Sequence, residues 1–308
     1  TRRCRSLILS LALLLASPFI QGQKIVIGND DGWAVATIRA QFSALVAADY
    51  DVVLSCPAIN LSGTGSLTAP PTVVIIPCEF DTCPVLSPAE GFNASDPRLN
   101  YVNSFPASAI SYGIDTLAPE LLGGAPDFAV SGPNVGNNLE ILLGSGTVGA
   151  ASAAALAGIP SAAFSGSSDS LSQVSYTTLD SDPTSTNTLA SNIYAQLTVN
   201  FVDALLASPG EILPPGISLN INYPPITNCT EVSDYSFVLT RVIADSSATD
   251  VETCGSTHLP GESEVVALDG CFSSVSVFNA STLLDVDAAT QETVLNRLGS
   301  FLTCAPSS

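Results

Sequence analysis

KIVIGNDDG, residues 24–32, sets an apolar run directly before two adjacent carboxylates, Asp30 and Asp31. A short continuous apolar run closed by glycine reads as a strand of a parallel sheet, buried on both faces. The acids then fall at the carboxyl end of that strand, where open parallel sheets hold their ligands. Similar runs recur at 51–55, 72–77, 126–131, 161–165 and 217–223. Between them, 37–48, 107–122, 146–158 and 189–206 have helical spacing. Strands alternating with helices imply a three-layer, Rossmann-like α/β fold with a mostly parallel sheet. The core is expected over 24–230. A Ser/Thr/Asp-rich loop is expected over 166–188. Beyond residue 230 the alternation fades, although three runs have strand character. The segment 231–308 reads as an irregular, disulfide-containing extension, either part of the same domain or an oligomerisation element.

The first 23 residues read as a secretory signal peptide. Arg2, Arg3 and Arg5 form a basic n-region, and 7–16 is an apolar run too short to span a membrane. Removing those three arginines takes the net charge from −20 to −23, leaving Lys24, Arg39, Arg98, Arg241 and Arg297. So negative a surface repels nucleic-acid polymers. A small phosphate ester remains admissible if backbone N–H groups and a metal ion neutralise it.

Seven cysteines follow the leader, an odd number in an oxidising compartment. Cys56 ends a strand pattern and is expected to be the buried free thiol. Cys78 and Cys83 can close a short loop. Cys229, Cys254, Cys271 and Cys304 can form two bridges of open connectivity. No spacing matches a zinc site. N-glycosylation sequons stand at Asn60, Asn93, Asn228 and Asn279.

Four polar clusters fall at strand ends: 29–32, 60–66, 131–134 and 144–147. Paired Asp30 and Asp31 suit a hard divalent cation such as Mg²⁺ or Mn²⁺, or else a plain Asp-Asp-Gly turn. Ser62 and Asn134 can complete an oxygen shell as neutral ligands, or serve only as turn residues. Ser145, Gly146 and Thr147 open a helix, where N–H groups and hydroxyls make a phosphate seat or an ordinary N-cap.

KIVIGNDDG, NLSGTGSLT, SGPN, SGTVGAA and LNINYP, in this order from Lys24 to Pro224, resemble the SurE survival-protein family. The resemblance implies a Rossmann-like core and metal-dependent phosphomonoester hydrolysis, with nucleoside monophosphates as common substrates. It implies Asp30, Asp31, Ser62 and Asn134 as metal ligands, with the two acids catalytic. Ser145, Gly146 and Thr147 match the phosphate-side loop, and Asn29 and Gly63 support the same site. It also implies assembly as a homodimer or tetramer. Ala58 and Ile59 replace an acidic and a basic residue of the family pattern. Ala36-Thr37 replaces its Pro-Gly, 135–143 is shortened by about one residue, and Ala107-Ser108 replaces a Thr-Asp pair. Nucleoside contacts are therefore altered while the metal core is retained.

Other chemistries fit less well. His258 is the only histidine and lacks the Arg-rich motif of a histidine phosphatase. No G-x-S-x-G elbow joins a strand to a helix. The alternative of another class is a secreted binding or cell-surface protein with a weak or inactive site. Ser62 lies in the sequon of Asn60, so a glycan there would crowd the metal. Peptide mapping is expected to find Asn60 unmodified, with glycans confined to Asn93, Asn228 or Asn279; full occupancy at Asn60 would count against Ser62 as a ligand.

Overall fold

A computed structural model describes residues 22–306. The signal-peptide reading, all but its last two residues, lies outside them. In chain order the elements are β1 (Lys24–Gly28), α1 (Ala36–Ala47), β2 (Asp51–Pro57), β3 (Glu90–Asn93), β4 (Asp96–Val102) and α2 (Pro106–Tyr112). The last runs on as a π-helix, Gly113–Leu122. Then come β5 (Phe128–Val135), α3 (Gly146–Leu156), β6 (Ser161–Gly166), α4 (Thr178–Ser181), α5 (Thr186–Leu206) and β7 (Ile217–Asn222). The tail adds β8 (Ser236–Thr240), α6 (Glu262–Val266), β9 (Phe272–Asn279), β10 (Leu284–Asp285) and α7 (Ala288–Leu298).

One sheet runs β10-β9-β7-β6-β5-β1-β2-β4-β3, with β8 also on β9. From β4 through β7 every neighbour is parallel. Side chains of β1 alternate between faces, as a strand requires. Ile25 and Ile27 pack with α1 and α5, while Val26 packs with Ile110 of α2 and Ala150 of α3. Helices thus cover both faces and give the expected three layers. The chain leaves β1 for β2 on one side and later returns to β5 on the other. The crevice between the ends of β1 and β5 is therefore the topological switch point of the sheet.

Two expectations need correction. The run 72–77 forms no strand. Only Val74 of its aliphatic residues is buried, and it pairs locally with Leu86 and Ser87. The place beside β2 belongs to β4, whose sequence DPRLNYV carries a proline and two charges that mask it. The segment after 230 is more regular than expected. β9 pairs antiparallel with β7 over six residues, and β8 and β10 line the outer edge of β9.

The tail joins the core through aromatic rings. Phe201 of α5 contacts Phe164, Phe237 and Phe301 at centroid distances of 5.7, 5.7 and 5.8 Å. Disulfides join Cys78 to Cys83, Cys229 to Cys271 and Cys254 to Cys304, leaving Cys56 as the buried free thiol. The Phe201→Ala change removes the ring shared by core and tail. It is expected to lower stability by about 3–5 kcal/mol in urea unfolding; a loss below about 1 kcal/mol would show that the tail docks independently of this cluster.

Candidate active site at the ends of β1 and β5

Asp30 and Asp31 stand in the switch-point crevice, 2 % and 1 % exposed. No lysine or arginine among the described residues lies within ion-pair distance of either. Burial pushes the carboxyl of Asp30 up, and hydrogen bonds from Thr147 and from the backbone of Thr147 and Gly146 oppose it. Burial and then the neighbouring Asp30 push Asp31 well above the usual carboxylate range.

The backbone of α3 is built to meet Asp30. A Cβ on Gly146 would stand 2.7 Å from the Cβ of Asp30 and 2.9 Å from its Oδ2, so only glycine allows this approach. The positive end of the helix dipole then faces the carboxylate. The buried Thr147 hydroxyl donates to Asp30 Oδ1 at 2.7 Å and lies 3.2 Å from Asn134 Oδ1. Ser145 is the N-cap, its Oγ accepting from the Val148 N–H at 3.1 Å. Thus Thr147 is engaged with the acid and Ser145 with its own helix, while Gly146 provides the close contact.

Asp31 is held from two other elements. Its Oδ2 accepts from the Val135 N–H at 2.8 Å, just past Asn134 on β5. Its Oδ1 accepts from the Gln173 amide. Asn29 turns its amide nitrogen to the Gly32 carbonyl at 2.8 Å, leaving a buried Oδ1 without partner. Asn134 donates to the Gly136 carbonyl at 2.6 Å, which fixes its Oδ1 beside Thr147. The second loop reaches the acids through its backbone, the Leu61 N–H donating to the Asp30 carbonyl at 2.7 Å. Ser62 follows there, exposed, with its N–H on Asn60 Oδ1. Gly63 adopts φ +83° with open space where a Cβ would stand.

The structure therefore brings Asn29, Asp30, Asp31, Asn134, Gly146 and Thr147 into one buried cluster, with Ser62 and Gly63 on an adjoining loop. Two residues escape a sequence reading. Gln173 lies inside the aperiodic stretch 166–188. Glu79 sits in the Cys78–Cys83 loop, close enough to raise Asp31. Its own carboxyl is pushed up to about 7 by burial, and its Oε2 has no partner. A lone acid between two cysteines gives no periodic signal; only the short disulfide loop marks it. His258 is exposed in the tail, its Nδ1 2.8 Å from the Ala248 carbonyl.

The donors at this cluster are all oxygen, and its two acids lack a cationic partner. Such a set fits a hard divalent ion. No group of three or more His, Cys, Asp or Glu among the described residues is arranged to hold a metal. An ion here would accordingly rest on two acids and neutral oxygens such as Asn134 Oδ1. A spacious apolar cavity lies elsewhere, in the tail near Leu239 and Cys304.

The family model for Survival protein SurE matches residues 25–248. An acid phosphatase of Yarrowia lipolytica is 30% identical over 309 residues, covering 89% of this chain and 84% of its own. The 5'-nucleotidase SurE of Thermosynechococcus vestitus is 31% identical over 207 residues, 66% of this chain and 64% of its own. The crystal structure of SurE protein from Aquifex aeolicus has the same fold, with a TM-score of 0.57 at 21% identity. That likeness covers 89% of this chain and 98% of the other.

Buried acids whose folded pKa is raised stabilise the fold below their ordinary pKa and lose that contribution as pH rises through the raised value. In chelator-treated protein, Asp30→Asn is therefore expected to raise the melting temperature by a few degrees at about pH 7.5, the gain fading toward about pH 4. Mg²⁺ or Mn²⁺ should then stabilise the wild type but not the variant; an equal response of both would remove Asp30 from the cation site.

Proposed function

We propose, from the premise that this chain belongs to the Survival protein SurE family, that it is a phosphomonoesterase whose activity depends on a divalent cation, Mg²⁺ or Mn²⁺. The observation that carries the reading is the buried Asp30–Asp31 pair without a basic partner, met by a helix N-terminus and an amide oxygen. Two ionised carboxylates so placed repel each other unless a cation joins them. Asp30 and Asp31 would hold the ion, with Asn134 Oδ1 and the Ser62 hydroxyl as further ligands. Such an ion supplies Lewis acidity and lowers the pKa of water.

The remaining work falls to the chain itself. Thr147 and the first N–H groups of α3 fix Asp30 in one rotamer. Val135 and Gln173 do the same for Asp31. With both carboxylates held, a phosphoryl group meets a preorganised site rather than one that must reorganise during reaction. Gly63 leaves the 60–66 loop open, so the phosphoryl oxygens can approach its backbone donors. Ser145, Gly146 and Asn29 shape the same side of the crevice. Either carboxylate can accept a proton from the attacking water.

Nucleoside monophosphates are the preferred substrates of this reading, with other small phosphate esters admitted by the changed residues Ala58, Ile59, Ala107 and Ser108. The charge of −20 disfavours polymeric nucleic acid. No helix among the described residues is long and apolar enough to cross a membrane. Three disulfides and the basic-then-apolar leader support secretion as a glycoprotein. Assembly as a homodimer or tetramer belongs to the same proposal.

Phosphate release from nucleoside monophosphates and p-nitrophenyl phosphate tests the reading. Activity should vanish in EDTA, return with Mg²⁺ or Mn²⁺, and fall at least about 100-fold in Asp30→Ala, as expected when a transition-state contact is lost. Folded protein that releases no phosphate with any divalent metal would instead be a binding protein with a relic site.

A further inference from the structure

Arg39, on α1, is 6 % exposed yet has no carboxylate within 4 Å. The other arginines among the described residues are answered. Arg98 pairs with Asp96, Arg241 with Asp250 and Asp285, and Arg297 donates to the carbonyls of Leu205, Ser208 and Glu211. Of the Arg39 donors only Nε–H has an acceptor, the Trp33 carbonyl at 2.7 Å, and the buried Nη2 has none. Two rings hold its plane, with the guanidinium carbon 5.0 Å from the Trp33 centroid and 4.6 Å from that of Tyr176. Stacking satisfies the faces of a guanidinium but not its edge, where the N–H groups need oxygen acceptors. Burial lowers the pKa of Arg39, opposed by the fields of Tyr176, Cys56 and Asp96.

Arg39 lines a cavity of about 490 Å³ together with Trp33, Tyr176, Phe80 and Phe92. The volume is that of a small-molecule site. Phe80 and Phe92 are 40 % and 62 % exposed, and Phe80 is held at φ +54° in the Cys78–Cys83 loop. Two exposed rings beside an unanswered cation are ill suited to water and well suited to a planar anion. Asp81 also lines the cavity but makes no ion pair with Arg39.

We infer that this cavity is a second ligand site, for a small organic oxyanion carried on a planar ring. The carboxylate or phosphate of the ligand accepts from the Nη1 end of Arg39, since Nε–H is taken by Trp33 and Nη2 is enclosed, and its ring stacks on Phe80 or Phe92. A hydrogen bond from a guanidinium to an oxyanion is charge-assisted and roughly twice as strong as a neutral one. The site is distinct from the acid pair but tied to it. The strap that carries Tyr176 donates its N–H to the Ala34 carbonyl and, at Gln173, holds Asp31.

Trp33 is the only tryptophan in the chain and lines this cavity, so its fluorescence reports on ligands bound there. EDTA-treated Asn93→Gln protein, with no glycan at the cavity mouth, is titrated with benzoate, phenyl phosphate, inorganic phosphate and benzyl alcohol. Benzoate and phenyl phosphate should change the emission saturably. Inorganic phosphate and benzyl alcohol, each lacking one half of the ligand, should bind at least about tenfold more weakly. Phe92→Ala, which alters an exposed ring and leaves the core intact, should weaken benzoate about tenfold. Arg39→Lys, checked for folding by circular dichroism, should do at least as much. Asp30→Asn should leave binding unchanged, which separates this site from the phosphatase reading. No saturable response, an affinity indifferent to both Phe92→Ala and Arg39→Lys, or loss of binding in Asp30→Asn would overturn the inference.

Discussion

The structure is organised around the burial of two adjacent carboxylates. Asp30 and Asp31 follow each other in sequence, so no rearrangement of the fold can separate them, and both are almost wholly removed from solvent. Charges so placed are tolerated only when fixed dipoles or a cation answer them. The chain supplies dipoles from three directions: the start of α3 with its Thr147 hydroxyl, the backbone after Asn134, and Gln173. Each comes from a different segment, so the acids act as the point where those segments are registered against one another. Gly146 is the tightest of these constraints, because a single methyl group there would displace Asp30 itself.

A second polar centre ties the tail to the same machinery. Glu262 of α6 is fully buried and accepts from the Glu140 N–H at 2.6 Å, the Asn220 amide at 2.9 Å and the Ser276 hydroxyl at 2.9 Å. Glu140 lies in the loop between Asn134 and Ser145, and Asn138 of that loop is held by Asn222 and Ser165. The loop joining two halves of the candidate site is thus anchored on β6, β7 and the tail. Burial pushes the Glu262 carboxyl up to about 7, as it does that of Glu79. Both shifts run in the same direction as those of the acid pair. Their contributions to stability are fully present below the ordinary carboxylate pKa and decline as pH rises toward about 7, so the cation-free fold is favoured on the acid side of neutrality.

Much of this was legible in the sequence, for identifiable reasons. β1, β2, β5, β6 and β7 are buried on both faces, and their apolar runs announce it. The acids follow β1 directly, so once the strand is found its ligand-bearing end is found too. β3 and β4 sit at an edge with polar and charged residues, and their sequences carry no comparable run. The opposite error at 72–77 has the same origin. Val73, Ile75 and Ile76 are exposed, so apolar character there reports no core at all. Gln173 and Glu79 were illegible because their roles depend on where loops return, which no local pattern encodes. Ser145 and Thr147 were legible as helix-start residues, but only coordinates separate a cap from a contact to Asp30.

The family match ends at residue 248, but the architecture does not. Without β9 the outer edge of β7 would present six residues of unpaired backbone, since the antiparallel pairing runs from Ile217 to Asn222. Those same residues include Asn220 and Asn222, whose side chains hold the loop that carries Asn138 and Glu140. An open edge would therefore loosen the support of the candidate site as well as the sheet. Two disulfides, Cys229–Cys271 and Cys254–Cys304, restrict the tail at sequence separations of 42 and 50. Cross-links over loops of that length remove much of the freedom the tail would have in the unfolded chain. The residues after 230 are thus a structural continuation of the phosphatase core, closing its sheet and bracing the crevice where its acids stand.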